Sequence, residues 1–168
     1  MTLNTRLAVS LNADLRSDLD LAAASVPLSW LRRVNLVDGT GAGEANRVWH
    51  DRRTLAASAS ENLDLAGVLV DALGAGLTFA RVKTLIVAAA AGNTNTVLVG
   101  GAESNAWASW AGAADNVVVV RPGGLLLLAA PDATAYPVTA STADLLTVTN
   151  GGSGTSVTYD IVIIGASA

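Results

Sequence analysis

A chain of 168 residues, 51% of them hydrophobic and 14% charged, is long enough to bury one sizeable core and too short for two full domains. Its net charge of −4 speaks against nucleic acid as a direct partner, which wants a clustered basic face; Arg32-Arg33 and Arg52-Arg53 are the only basic pairs and read as solvated or acid-paired. With no Cys and a single His there is no thiolate or multi-histidine metal site, and no apolar run approaches the ~20 residues of a bilayer-spanning helix, so neither metal, cofactor nor membrane is expected.

Residues 1–25 alternate apolar and polar around Leu7, Val9 and Leu11, then turn acidic through DLRSDLDL. They read as a first strand or an extended arm ahead of a domain spanning residues 26–168. The N-terminus has one early Arg and a brief apolar patch, a poor secretory signal, so synthesis in a cytoplasm is expected. Val26-Pro27 disfavours helix, because a residue before Pro is pushed out of the α region. LRRVNLVDG reads as a short strand closed by the Gly-rich turn at 38–44, and residues 46–65 as two strands with a bend near Ala57 to Ser60.

Residues 68–77, VLVDALGAGL, read as a short turn-like helix or a wide loop ending at Gly74. Residues 77–101 are the clearest element: a strand, the turn AGNTN and a second strand, read as a central hairpin. In its first arm Arg81 and Lys83 are expected to lay their stems on apolar surface with their heads in water. NVVVVR and LLLLAAP flank Arg121-Pro122-Gly123-Gly124, where Pro suits the first turn position and Gly the positive-φ one. Both flanks are apolar on each face and read as central strands covered on both sides. YPVTA, LLTVTN and TSVTYDIVII continue at short intervals. Many short strands with Gly-rich turns predict a mainly β protein, an antiparallel β-sandwich, jelly-roll-like, of about eight or nine strands with little helix.

Few residues in the sequence carry a recognisable chemistry. His50 is the only histidine and reads as an ordinary exposed strand or loop residue; Gly152-Ser153-Gly154 is a connector, not a nucleophile elbow. GTGAG at Gly39 to Gly43 lacks the spacing of a dinucleotide loop, and Asp38 and Glu44 lack the ligand order of an EF-hand. Asp18, Asp20, Glu61 and Asp64 are nominal carboxylates for glycoside hydrolysis, but aromatics are only 4% of the chain, which leaves few platforms for a sugar. Trp107 and Trp110 read as anchors that fold their loop onto the core or a neighbouring subunit, with a carbohydrate-binding module the alternative. Asp160 shares a strand face with Thr158, Val162 and Ile164 and so requires a hydrogen-bonding partner or a wet position.

The ordered phrases DGTGAGEAN, RTLAAS, ENLDLAGVLVDALG, LTFARVK, AGNTN, VGGAESNAW, VRPGGLLLLAAPDA and VTYDIVIIGASA resemble a group of small virion structural proteins of tailed bacteriophages and prophages. The resemblance covers Asp38 to Ala168 and contains no catalytic signature. It implies a head decoration or minor capsid protein on the capsid surface, with the major capsid protein and further copies of itself, a trimer by preference, as partners. A tail or fibre component is the alternative. Candidate interface residues are Trp107, Trp110 and the acidic Asp14, Asp18 and Asp20.

Overall fold

The computed structural model describes residues 2–168, and among them there are eleven strands and no helix. The first two strands, β1 (Thr5–Asp18) and β2 (Ala23–Leu36), pair only with each other. Their antiparallel register is unbroken from Thr5 opposite Leu36 to Asp18 opposite Ala23. Alternating side chains favour such a ribbon, and Pro27 is tolerated because every strand of a two-stranded sheet is an edge. The expected boundary after residue 25 therefore falls inside β2, and the arm continues to Leu36. The missed signal is that Val26, Leu28 and Trp30 keep the alternation of β1.

Nine strands make up the rest. β3 (Arg47–Leu55), β4 (Ser60–Asp64), β5 (Arg81–Ala89) and β6 (Val97–Gly100) precede β7 (Val117–Val120) and β8 (Leu125–Ala129). The short β9 (Tyr136–Pro137), then β10 (Leu145–Asn150) and β11 (Val157–Ala166), complete the chain. They form two antiparallel sheets, one ordered β3-β11-β5-β8 with β9 beside β5, the other β4-β10-β6-β7. Val157, Tyr159, Ile161 and Ile163 of β11 are wholly buried and meet Leu63, Val97, Val99, Leu146 and Val148 of the other sheet in one core. Burying each such aliphatic side chain contributes about 1.5–3 kcal/mol, so β11 is the main apolar contributor to its sheet.

The bend at Ala57 to Ser60 and the Arg121–Gly124 turn lie where the sequence places them. Gly123 has φ 72°, and the Gly124 N–H donates to Arg121 O at 2.7 Å, which closes the turn. Residues 68–77 form the wide loop, tied by Asp71, which accepts from the Leu73 and Ala75 N–H groups at 2.9 Å.

Three expectations are corrected. The segment 77–101 is not a hairpin, because β5 is flanked by β11 and by β8 and β9 while β6 pairs with β10 and β7. The AGNTN turn carries the chain from one sheet to the other. β7 and β8 are not central but are the outermost strands of their sheets, with Val117, Val118, Val119 and Leu125 exposed. Lys83 does not reach water: it is 1% exposed, and its Nζ donates to the backbone carbonyls of Gly41 and Asp132. Loss of hydration pulls its ammonium below the usual lysine range, with Arg81 adding to that and Asp132 and Glu44 opposing it.

Candidate interaction surface

Register alone divides the arm into two unlike faces. Leu7 lies opposite Val34, Leu11 opposite Trp30, Ala13 opposite Leu28 and Leu15 opposite Val26, so one face is apolar along its length but for Arg32, opposite Val9. The other face is mainly polar: Arg6 lies opposite Asn35, Asn12 opposite Ser29 and Arg16 opposite Ser25, with Asp14 and Asp18 on the same face. Polar cross-links lie on this second face: the Ser29 hydroxyl donates to Asn12 at 2.9 Å and the Ser25 hydroxyl to Asp14 at 2.6 Å. Fourteen residues per strand give the ribbon a reach of about 45 Å.

Nothing covers the apolar face beyond its root. Every residue from Ser10 to Arg33 is exposed, with Leu11, Leu28 and Trp30 at 52%, 53% and 50% and Leu15 and Val26 higher still. At the root the same face does find a partner. Leu36, with Leu3 and Val34 beside it, packs on Val48, Val162 and Ile164. These three lie on the outer face of the β3-β11-β5-β8 sheet, the side away from the core, together with His50, Ile86, Leu125 and Leu127. At Leu36 the arm's apolar face and the outer sheet face therefore pack against each other.

The interface candidates are divided by this geometry. Asp14 and Asp18 belong to the arm's polar face, and Asp20 lies in its connecting turn. The Asp14 carboxyl is held below the usual range, first by the Ser25 hydroxyl and then by Arg16. Trp107 is 2% exposed in the core, where its indole N–H donates to Pro137 O at 2.9 Å and its ring meets Tyr136 edge-on at 6.5 Å. Trp110 covers it, tilted at 6.1 Å, with its N–H donated to Trp107 O. The pair therefore anchors a loop, and only Trp110 retains surface.

Each nominal catalytic carboxylate except those at the arm tip has structural work. Glu61 accepts from the Tyr159 hydroxyl at 2.6 Å and from the Arg53 guanidinium, which also reaches Asp51. Asp64 accepts from Ala66 N–H, Asp38 from Leu3 N–H and Glu44 from Gly41 N–H, the last closing the GTGAG loop on itself. Asp160 takes both oxygens to Arg52, Nε at 2.6 Å and Nη2 at 2.8 Å, the partner its strand position calls for. That contact holds its carboxyl below the usual range. Among the described residues no group of three or more His, Cys, Asp or Glu has the arrangement to hold a metal ion. A cleft of about 430 Å³ lies at the arm root between Leu3, Val48, His50, Asp71 and Leu77, but Asp38 and Asp71 in its wall are already bound to backbone N–H groups.

Burial pushes the Tyr159 phenol far above its ordinary value of 10.0, and the Glu61 carboxylate adds to the rise. A folded pKa above the unfolded one means stability fully present below pH 10 and lost as pH rises beyond it, since the unfolded phenol ionises there and the folded one does not. Alkaline titration should therefore show the Tyr159 phenolate appearing together with loss of β circular dichroism. Tyr159→Phe should remove that absorbance component; a Tyr159 phenolate in folded protein would contradict the assignment.

No family model, no curated protein and no solved structure matches this chain.

Proposed function

We propose that the protein is a structural subunit of a tailed-bacteriophage particle, a decoration or minor head protein that binds the major capsid protein of an assembled head and stabilises it without turning over a substrate. It acts as a homo-oligomer, a trimer in the stoichiometry the resemblance implies. The observation that carries an interfacial role is the arm, which holds a long, mainly apolar face in water although an isolated two-stranded ribbon is marginal by itself. Such a face is stable in a particle where another surface covers it.

The fold reading that accompanies this is a jelly-roll sandwich. β3 to β4, β5 to β6 and β7 to β8 each cross from one sheet to the other, which gives the interleaved orders β3-β11-β5-β8 and β4-β10-β6-β7. With the two-residue β9 beside β5 set aside, four strands in each sheet follow the order of a jelly roll, a fold common in capsid and lectin domains, which supports this reading. The lectin branch gains nothing from the two tryptophans, since Trp107 is in the core. On a head, many copies each bridging neighbouring subunits add small contributions into resistance to expansion. Asp14, Asp18 and Asp20 on the arm's polar face and tip would steer it toward a basic patch, an attraction that weakens as salt rises.

Cryo-electron microscopy of virions should place the protein on the outside of the head, and heads lacking it should rupture at lower temperature. Density confined to the tail rejects decoration. Equal robustness with and without the protein rejects reinforcement even if the location is right.

A further inference from the structure

We infer that the amphipathic ribbon is an exchange arm: its apolar face lies on the outer face of the β3-β11-β5-β8 sheet of a second copy of this chain. The inference rests on the reading of the protein as an oligomeric structural subunit and names what the arm grips.

The arm root already displays the fit. Leu36 and Val34 come from the arm's apolar face, and the surface under them is Val48, Val162 and Ile164 of the outer sheet face. That sheet face continues past the root. Ile86, directly opposite Val162 in register, stays half-buried, as does Leu127 opposite Ile86, and Leu125 beyond them is 60% exposed. The chain therefore owns both an uncovered apolar ribbon and an uncovered apolar floor of the kind the ribbon fits. The ribbon leads away from its own floor, since Ser10 to Arg33 are exposed throughout, so the floor within reach belongs to a neighbour.

Charge favours the same pairing. Residues 5–36 carry four Arg and three Asp, net +1, while residues 37–168 carry six Lys or Arg and eleven Asp or Glu, net −5. Arg32, opposite Val9, is the one charge on the arm's apolar face, while on the outer sheet face Asp160 is paired with Arg52, so that face carries no net charge and the attraction is one of whole arm for whole body. Arm against body is thus an attraction, whereas body against body is a repulsion. Repetition of such a head-to-tail contact covers every arm and every floor where the rotation between copies closes it into a ring.

The absence of cysteine makes cross-linking unambiguous. Three full-length proteins are compared at micromolar concentration: Leu28→Cys, Leu125→Cys, and the double variant, each treated with a short bis-maleimide. Circular dichroism matching the parent verifies that they fold. The double variant should give a ladder of covalently joined chains on a denaturing gel, with most monomer consumed, and the single variants should not. Dimers from Leu28→Cys alone mean that arms pair with arms, a monomer linked to itself means that the arm folds back on its own body, and no product means that nothing is gripped; each overturns the inference. The virion result is separate. A ladder from a protein missing from heads leaves the exchange arm standing and removes decoration, while decorated heads built from unlinkable copies do the reverse.

Discussion

Trp107→Ala should lower the stability of the protein by about 3–5 kcal/mol, the usual cost of truncating a buried Trp. At roughly 2–4 °C per kcal/mol for a chain of this size, the melting temperature falls by an amount calorimetry reads easily. The loss has three sources. The indole leaves a large void in a core that includes Leu65, Phe79 and Leu146; Pro137 O loses one of its two donors and keeps only the Ser109 hydroxyl; and Tyr136 and Trp110 lose the ring they rest on. Trp110→Ala serves as the comparison, because Trp110 is only partly buried and should cost less. Equal effects at the two positions would show that the loop, not the core, depends on the pair.

Gly165→Ala is the second large effect, and it acts by crowding. The register of β11 against β5 slips between Ile164 and Gly165, and a Cβ at Gly165 would stand 2.2 Å from Arg81 O and 2.8 Å from the Phe79 ring. No real Cβ approaches a backbone oxygen so closely, so β5 or β11 must move apart. Overpacking costs about 1–3 kcal/mol where side chains can yield, and here the obstacle is backbone, which places Gly165→Ala at or above the top of that range. Urea unfolding checks it: a midpoint unchanged from the parent would mean the bulge has room that the static geometry denies. Gly43→Ala is the control for Cβ crowding, since nothing lies within 4 Å of a Cβ there, although its φ of 70° carries its own backbone strain.

β-rich character and several connections were legible from local chemistry. The positive-φ glycine at 123, the bend after Leu55 and the need of Asp160 for a partner are set within a few residues of sequence or by strand alternation. Pairing was not legible, because it is decided by segments far away. VVVV and LLLL have the two-sided apolar pattern of central strands, yet β7 and β8 end their sheets. Pattern reports how apolar a strand is, not how many neighbours it has. By strict alternation Lys83 would share a face with Leu85 and Val87, but the bulge opposite Ile164 and Gly165 puts Val82 with them instead, and the loops at Gly41 and Asp132 meet the Lys83 ammonium with carbonyls rather than water. The arm is half legible: its acidic end and Pro27 read as the end of a strand, although Val26, Leu28 and Trp30 continue the apolar alternation into β2.

The pairing of β3 with β11 also dictates an order of events during synthesis. β1 and β2 are joined by a short turn and can zip as soon as both have left the ribosome, whereas Thr54 must wait for Thr158, 104 residues later. Contacts so distant in sequence form slowly, and the sheet that would shelter a sticky ribbon is the last to be completed. During that interval each nascent chain presents its ribbon with no floor yet built, while chains finished earlier on the same message already offer theirs. If copies exchange arms as proposed, neighbouring ribosomes are where they would meet, and slower translation of the stretch between β2 and β11 lengthens the time in which an unsheltered ribbon can find the wrong surface.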